Sequence, residues 1–168
     1  MARRTDDLFS LISATRPADT KVLLDLCRGR HRVVELGTAT AWTAITLALD
    51  DSQRHVASFD PVERPQRQRY LELVSPEVKA RIELITAAGS AGPGDNRPVD
   101  LLYIDSSHER DQTIAEVHAW QQYLRPGALV VFDDYANPDY PGVRDGIEAL
   151  SLEGHHRGKL FIYRHPIA

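Results

Sequence analysis

Cysteine is almost absent from this chain. Cys27 is the only cysteine among 168 residues, which excludes a disulfide within the chain and a sulfur-rich metal site. No run of about 18 apolar residues occurs, so the sequence predicts no membrane-spanning helix. The charged N-terminal residues 1–7 are not followed by the apolar segment of a secretory signal. These absences predict a protein of the reducing cytoplasm.

An excess of positive charge is missing as well. The formal net charge is -4, so the chain has no general attraction to the phosphates of a nucleic acid. The basic stretch from Arg64 to Arg69 is most simply a solvated helix face. With 42% hydrophobic and 26% charged residues, the chain suits one globular domain with a substantial core. We therefore expect a single domain over residues 1–168 that acts on a small molecule.

Apolar runs suited to strands alternate with amphipathic stretches suited to helices. Two short helices are expected over 5–14 and 19–28. Strands are expected at 32–36, 55–60, 81–86, 99–105 and 128–134, helices around 44–48, over 63–74, over 109–124 and up to about 150, and a compressed hairpin over 154–163. This alternation predicts the α/β class: a doubly wound, mostly parallel, Rossmann-like sheet in three α/β/α layers, with a short C-terminal antiparallel hairpin. Residues 1–30 would hold the N-terminal helices and residues 31–165 the core.

Carboxylates follow two of the predicted strands. Asp105 ends the strand at 99–105, Asp133 and Asp134 end the strand at 128–134, and His108 lies just beyond the first. Because parallel strands end at one edge of a sheet, these side chains are expected around one point. Oxygen ligands favour a hard cation, Mg²⁺ first, with Mn²⁺ and Ca²⁺ as alternatives. The competing interpretation is that the aspartates cap a helix or close a turn and that His108 is solvated.

The turn after the first strand lacks the glycines of a dinucleotide site. Only Gly37 is present, with Ala39 and Ala41 at the later positions, so the pattern Gly-x-Gly-x-x-Gly is absent and NAD or FAD is disfavoured. A ligand without phosphates needs less space at such a turn. Asp60, after the second strand, is placed to accept hydrogen bonds from the two hydroxyls of a ribose. The alternative role for Asp60 is a turn or helix cap.

The residues from Glu35 to Ile45 resemble motif I of class I S-adenosylmethionine-dependent methyltransferases. They are most similar to the cation-dependent O-methyltransferases of the catechol and caffeoyl-CoA types. The stretches 100–108 and 124–135 resemble the bacterial natural-product branch, which includes macrolide-sugar methyltransferases and cephalosporin-hydroxylase-like proteins. The resemblance covers residues 30 to 165. It implies an enzyme that methylates a hydroxyl of a small molecule, such as a sugar or phenol of secondary metabolism.

The resemblance also implies roles for individual residues. Gly37 and Thr38 would pass the methionine part of the cofactor, Thr43 would lie near its carboxylate, and Asp60 would hold the ribose. The full implied cofactor set is Glu35, Gly37, Thr38, Thr43, Asp60, Gly89, Ser90 and Asp105, with Gly89 and Ser90 at the adenine. The implied metal ligands are Asp105, Asp133 and Asp134. His108 would be the catalytic base, at the position where catechol-type enzymes have a lysine.

Several alternatives remain at the level of the sequence. The first is a methyltransferase that uses no metal, and the second is a non-catalytic α/β module that binds the cofactor. A flavodoxin-like domain is disfavoured because its acidic cluster would end the first strand, where this chain has Glu35, Leu36 and Gly37.

The sequence also predicts an open site. No insertion is large enough for a substrate lid, and residues 150–159 are too few for a full sixth strand. A homodimer partner or a large substrate would then complete the wall. Tyr135, Asn137, Asp139 and Tyr140 are the expected substrate contacts.

Overall fold

The computed structural model describes residues 7–167. Its strands form one sheet in the order β3-β2-β1-β4-β5-β7-β6. They are β1 Arg32–Leu36, β2 His55–Phe59, β3 Ile82–Ile85, β4 Val99–Ile104, β5 Leu124–Phe132, β6 Gly154–Arg157 and β7 Leu160–Arg164. β1 to β5 run parallel to one another, whereas β7 is antiparallel to both β5 and β6. The predicted doubly wound sheet with a C-terminal antiparallel hairpin is confirmed.

Helices separate most of the strands. They are α1 Leu8–Ser13, α2 Pro17–Leu26, α3 Trp42–Asp50, α4 Pro65–Leu71, α5 Pro76–Lys79, α6 Arg110–Trp120 and α7 Pro141–Ala149. The helix predicted over 63–74 is therefore shorter, and Ser75 caps a separate turn of helix by accepting a hydrogen bond from Val78. Of the helix predicted over 5–14, residues 5 and 6 lie outside the described part. No helix that the structure describes has the length and apolar character needed to cross a bilayer.

The start of β5 differs from the prediction. A helix was predicted over 109–124 and a strand from 128, but β5 already begins at Leu124 and includes Pro126 and Gly127. The register between β4 and β5 shifts between Val99 and Leu101, and Gly127 has φ +77°. A proline is tolerated in a strand at such an irregularity, because a ladder hydrogen bond is already missing there.

The core lies on both faces of the sheet. Alternate side chains of β4 point to opposite faces, so Leu102 packs in the cluster with Trp120 of α6 while Leu101 packs in the cluster with Leu23 and Leu47 of α2 and α3. Trp120 is fully buried, and its indole N–H donates to the carbonyl of Gly89 at 2.8 Å. Burial on both faces holds the strand ends in fixed positions relative to one another.

The turn after β1 is tied closely to the end of β4. Asp105 donates its backbone N–H to the carbonyl of Leu36 at 2.8 Å, and Gly37 donates to the carbonyl of Phe59 at 2.8 Å. Gly37 has φ +104°, and a Cβ at this position would lie 1.9 Å from the carbonyl oxygen of Asp105. Only glycine fits this crossing without moving backbone.

We expect Gly37→Ala to destabilise the fold by roughly 1–3 kcal/mol, because it adds both a left-handed φ penalty and a backbone clash. Urea unfolding at neutral pH measures the effect. Gly94→Ala is the matched control, since nothing lies within 4 Å of a Cβ there, and its change is expected within about 0.5 kcal/mol. Equal unfolding midpoints for the two variants would contradict the close approach.

Candidate active site

A cleft of about 800 Å³ opens at the carboxyl edge of the parallel strands. Its wall combines the β1–α3 turn, the ends of β2, β4 and β5, helix α1 and the β6–β7 turn. Of the residues predicted for the site, those that line it are Gly37, Thr38, Thr43, Asp60, Gly89, Asp105, His108, Asp133 and Asp134, whereas Glu35 and Ser90 do not. Among the expected substrate contacts, Asn137 and Tyr140 line it and Tyr135 and Asp139 do not.

Glu35 lies beneath the cofactor turn instead of facing the cleft. Its carboxylate accepts a hydrogen bond from Ser58, whose hydroxyl also pairs with that of Thr38 at 2.7 Å. The side chain is almost fully buried, and burial raises its pKa to about 8. Glu35 is therefore placed to influence a ligand through the residues that it supports, which are Ser58, Thr38 and Thr43.

Asp60 makes contacts on both of its oxygens. Oδ2 accepts from the backbone N–H of Ala39 at 2.9 Å and pairs with Arg67 at 2.8 Å, while Oδ1 accepts from the backbone N–H of Val62 at 2.8 Å. The turn-capping role considered above is thus present. A carboxylate oxygen accepts two hydrogen bonds, so Oδ1 keeps capacity for one ribose hydroxyl.

Two polar residues of α6 were not identified from the sequence. Gln112 and Glu116 lie one helical turn apart and both line the cleft next to Gly89. The amide of Gln112 donates to Oε1 of Glu116 at 2.9 Å, and the hydroxyl of Ser106 donates to Oε2 of Glu116 at 2.8 Å. Burial raises the pKa of Glu116 despite these hydrogen bonds. The sequence did carry a signal for Glu116, because this charged residue falls on the face of a predicted helix that otherwise points towards the core.

The acidic residues that end β4 and β5 do converge. The hydroxyl of Tyr103 lies 2.9 Å from Oδ2 of Asp133 and 3.4 Å from Oδ2 of Asp105. Nε2 of His108 lies 3.2 Å from Oδ1 of Asp105 and 3.5 Å from Oδ2 of Asp134. The sequence predicted this grouping apart from Tyr103. This residue belongs to an apolar strand whose pattern gives no sign that one hydroxyl contacts the carboxylates.

These neighbours perturb one another's protonation. Burial and the charge of Asp105 raise the pKa of Asp133 to about 7, and burial also raises the pKa of Asp105. Burial lowers the pKa of His108, but the hydrogen bond and charge of Asp105, with the charges of Asp134 and Asp133, outweigh it and the net pKa is raised. Negative charge is therefore in excess at this end of the cleft.

Lys159 was also missed by the sequence analysis. Its ammonium donates to Oδ1 of Asp134 at 3.0 Å, and the amide of Asn137 donates to the same oxygen at 3.0 Å. Lys159 belongs to the turn of the predicted tail hairpin, which joins β6 to β7. Only the pairing of β7 with β5 brings that turn to the acidic edge.

The donor chemistry of this cluster fits a divalent cation, since three carboxylates supply hard oxygen ligands and charge. Within residues 7–167, however, no three His, Cys, Asp or Glu side chains are arranged to hold a metal ion as they stand. Their oxygens are shared instead with Tyr103, His108 and Lys159. A cation would have to displace some of these partners.

Helix α1 supplies a wall that the sequence analysis did not expect. Phe9, Ile12 and Ser13 line the mouth of the cleft, and the guanidinium of Arg64 lies 4.1 Å above the Phe9 ring. Thr15 reaches the hydroxyl of Tyr103 at 3.1 Å. The site is therefore less open than predicted, because the chain before β1 folds back over it.

Comparison with known proteins identifies the family. The profile of a family described as a methyltransferase domain matches residues 34–135, from β1 to just beyond Asp134. This chain belongs to that family. The resemblance found in the sequence is confirmed, and the turn around Gly37 and the acidic edge both fall within the matched residues.

Solved methyltransferase structures share this fold at low sequence identity. The O-methyltransferase from Bacillus cereus, solved with S-adenosylhomocysteine, has a TM-score of 0.71 at 18% identity, covering 90% of this chain and 82% of that one. TomG, an O-methyltransferase of tomaymycin synthesis from Streptomyces achromogenes solved with S-adenosylmethionine, gives 0.66 at 22%, covering 92% and 82%. The TDP-rhamnose 3'-O-methyltransferase of calicheamicin biosynthesis gives 0.69 at 18%, covering 87% and 78%. Among curated protein sequences, none matches this chain significantly.

His108 of this methyltransferase is held in an unusual conformation. It has φ +61°, and its ring stacks on that of Tyr140 with centroids 4.3 Å apart and an angle of 18°. Gly142, at the start of α7, lies so close that a Cβ would be 2.5 Å from the carbonyl oxygen of His108. A left-handed φ in a residue with a side chain is strained and needs surrounding contacts to persist. Tyr140 and the start of α7 provide them.

Replacement of Asp133 by Asn should stabilise the metal-free methyltransferase at neutral pH. The pKa of Asp133 is about 7 in the fold against an ordinary 3.8, so stability is fully present below the ordinary pKa and is lost as the pH rises towards 7. Asp133→Asn removes that loss, and we expect it to be more stable than the original chain by on the order of 1–3 kcal/mol at pH 8, with no gain near pH 4.

Thermal unfolding between those two pH values, with chelator present, measures the effect. Asp111→Asn is the control because the side chain of Asp111 is exposed, and its stability should follow the original chain at every pH. Parallel pH profiles for Asp133→Asn and the original chain would contradict the raised pKa.

Proposed function

We propose that this methyltransferase moves the methyl group of S-adenosylmethionine to a hydroxyl of a small molecule, with a divalent cation at the acceptor. One observation carries the proposal: a single cleft joins the turn at Gly37 to the cluster of carboxylates with His108. The first feature suits a nucleoside cofactor without phosphates, and the second suits the activation of an oxygen nucleophile. The neighbours solved with S-adenosylmethionine and S-adenosylhomocysteine support this choice of cofactor.

The cofactor would extend along the ends of β1 and β2. Its methionine part would pass Gly37 and lie beside Thr38 and Thr43, all three of which line the cleft, while the free capacity of Oδ1 of Asp60 would serve the ribose. Gly89 would meet the adenine, with Gln112 and Glu116 beside it, while Ser90 lies outside the lining and accepts a hydrogen bond from the amide of Gln112 at 3.4 Å. Glu35 would support Thr38 from below, and Asp105 would face both cofactor and acceptor.

The acceptor hydroxyl would lie between the cofactor and His108. S-adenosylmethionine would supply the methyl group to the acceptor oxygen and would leave as S-adenosylhomocysteine, while the imidazole of His108 would take the hydroxyl proton. Because Nε2 of His108 lies between Asp105 and Asp134, both carboxylates stabilise the imidazolium that forms. Positioning of donor and acceptor in line supplies much of the remaining rate.

A divalent cation, Mg²⁺ first and otherwise Mn²⁺ or Ca²⁺, would be held by Asp105, Asp133 and Asp134. It would lower the pKa of the acceptor hydroxyl and so favour its deprotonation near neutral pH. The convergence of the three carboxylates at the ends of β4 and β5, around Tyr103 and His108, supports this part of the proposal.

The size of the cleft and the structural neighbours support a small-molecule acceptor. A cleft of about 800 Å³ suits a small molecule, such as a sugar or phenol of secondary metabolism, better than a nucleic acid. The sugar methyltransferase of calicheamicin biosynthesis is one structural neighbour with such an acceptor. Asn137 and Tyr140 on one side and Phe9 and Ile12 on the other are the expected acceptor contacts. That the protein forms a homodimer and that it is located in the cytoplasm remain predictions.

Calorimetric titration with S-adenosylmethionine should show one site, with binding about tenfold weaker in Asp60→Asn because one charged acceptor is lost. His108→Ala should bind the cofactor as the original chain does and lose turnover by about 100-fold or more. Asp111→Asn is the control for both measurements. No binding at millimolar cofactor would refute the proposal, and binding without turnover on any hydroxyl acceptor would indicate a non-catalytic module.

Exhaustive chelation should abolish turnover, and Mg²⁺ or Mn²⁺ should restore it. Asp105→Asn and Asp133→Asn should each require more metal for half-maximal activity, because each removes one charged ligand. Cofactor loading is measured in parallel, so that a failure to bind S-adenosylmethionine is not mistaken for loss of metal.

The ion pair of Lys159 with Asp134 favours one competing function, a methyltransferase that uses no metal. Full activity of the chelated protein would support that version and refute the cation.

A further inference from the structure

Lys159 reaches the acidic edge because of how the last strands pair. β7 runs antiparallel to β5, and Phe161 lies opposite Phe132. Because the two strands run in opposite directions, Asp134, two residues after Phe132, lies opposite Lys159, two residues before Phe161. The turn before β7 is thereby placed at the carboxyl edge of the parallel strands.

The turn that carries Lys159 is fastened to α2. Asp19 is buried, and its Oδ1 accepts the backbone N–H of Lys159 at 3.2 Å, while Oδ2 pairs with Arg16 at 2.6 Å. Gly158 has φ +62°, and a Cβ there would lie 2.3 Å from Oδ1 of Asp19. The lysine therefore projects from a backbone held in place, which reduces the entropy lost when its side chain pairs.

The ammonium of Lys159 meets Asp134 in a partly enclosed place. Side-chain exposure is 27% for Lys159 and 17% for Asp134, and the two atoms are 3.0 Å apart. Asn137 already donates to the same oxygen, and His108 faces the other oxygen of Asp134. Oδ1 thus holds two donors, which is its full capacity, and a cation bound there would have to replace one of them.

We propose that Lys159 is a tethered cation that competes with the divalent metal for Asp134. At Oδ1 of Asp134 the site then has two states: one in which the ammonium of Lys159 pairs with this oxygen, and one in which a divalent ion binds it and the lysine has turned away into the cleft. The inference rests on the proposed metal site. It implies that metal affinity is set partly by a residue that is not a ligand.

The competition predicts tighter metal binding when the ammonium is removed. Lys159→Met keeps a long side chain without charge and should bind Mn²⁺ about tenfold more tightly, since a partly screened charge pair no longer has to be broken. Lys159→Arg keeps the charge and should bind Mn²⁺ within a few-fold of the original chain. Binding is measured by the electron paramagnetic resonance signal of free Mn²⁺, without cofactor or acceptor.

Lys79→Met is the matched control, because Lys79 lies on α5 outside the cleft, and its Mn²⁺ affinity should equal that of the original chain. Lys159→Met should also melt at a lower temperature in chelator and gain more from Mn²⁺ than the original chain does, which shows that the variant is folded and that its site lacks a counter-charge. Equal or weaker Mn²⁺ binding by folded Lys159→Met overturns the competition while the metal site stands. Absence of Mn²⁺ binding in both proteins overturns the competition together with the metal site, and the calorimetric titration then reports separately on the cofactor.

Discussion

The burial of like charges at one end of the sheet is the constraint on which the rest of the site depends. β4 and β5 are adjacent and parallel, so their ends bring Asp105, Asp133 and Asp134 together. Such carboxylates repel one another unless protons or cations intervene. The Tyr103 hydroxyl, His108 and Lys159 each contact one or two of them, and burial together with the charge of Asp105 raises the pKa of Asp133. The proposed divalent cation would add positive charge there.

The opposite half of the cleft contains the β1–α3 turn, which is tight although it has few glycines. Ala39 and Ala41 both have positive φ, 43° and 69°, which is costly for residues that carry a Cβ. Asp60 accepts a hydrogen bond from the backbone N–H of Ala39, and Arg67 donates to the carbonyl oxygen of Ala39 at 2.9 Å. The ion pair of Asp60 with Arg67 therefore holds the strained alanine on both sides. Beneath it, Ser58 connects Glu35 to Thr38. The turn is thus held by contacts within the protein itself, which reduces the cost of ordering it on binding.

Elements with strong hydrophobic patterns were predictable, and those decided by pairing were not. β1, β2 and β4 were placed from their apolar runs, and the grouping of Asp105, Asp133 and Asp134 followed from the rule for parallel strands. The early start of β5 was missed because Pro126 and Gly127 normally end an element, whereas pairing with β4 tolerates them at a register shift. Glu35 was expected at the ligand because it belongs to the stretch that resembles motif I. The structure instead turns its side chain to Ser58, on a face that sequence adjacency does not reveal.

The sequence by itself determined the α/β class, the family and the set of chemical groups at the carboxyl edge, because strand endings and hydrophobic period are local properties of the chain. Tertiary structure decided which partners those groups have. Lys159 meets Asp134 only through the register of β7 on β5, Tyr103 lies between two aspartates only because β4 and β5 are neighbours, and α1 walls the cleft only because it packs against a distant segment that includes Arg64. The physical reason is that charge compensation acts over a few ångströms in space, whereas the residues that provide it here are 25 and 30 positions apart in the pairs Lys159 with Asp134 and Tyr103 with Asp133.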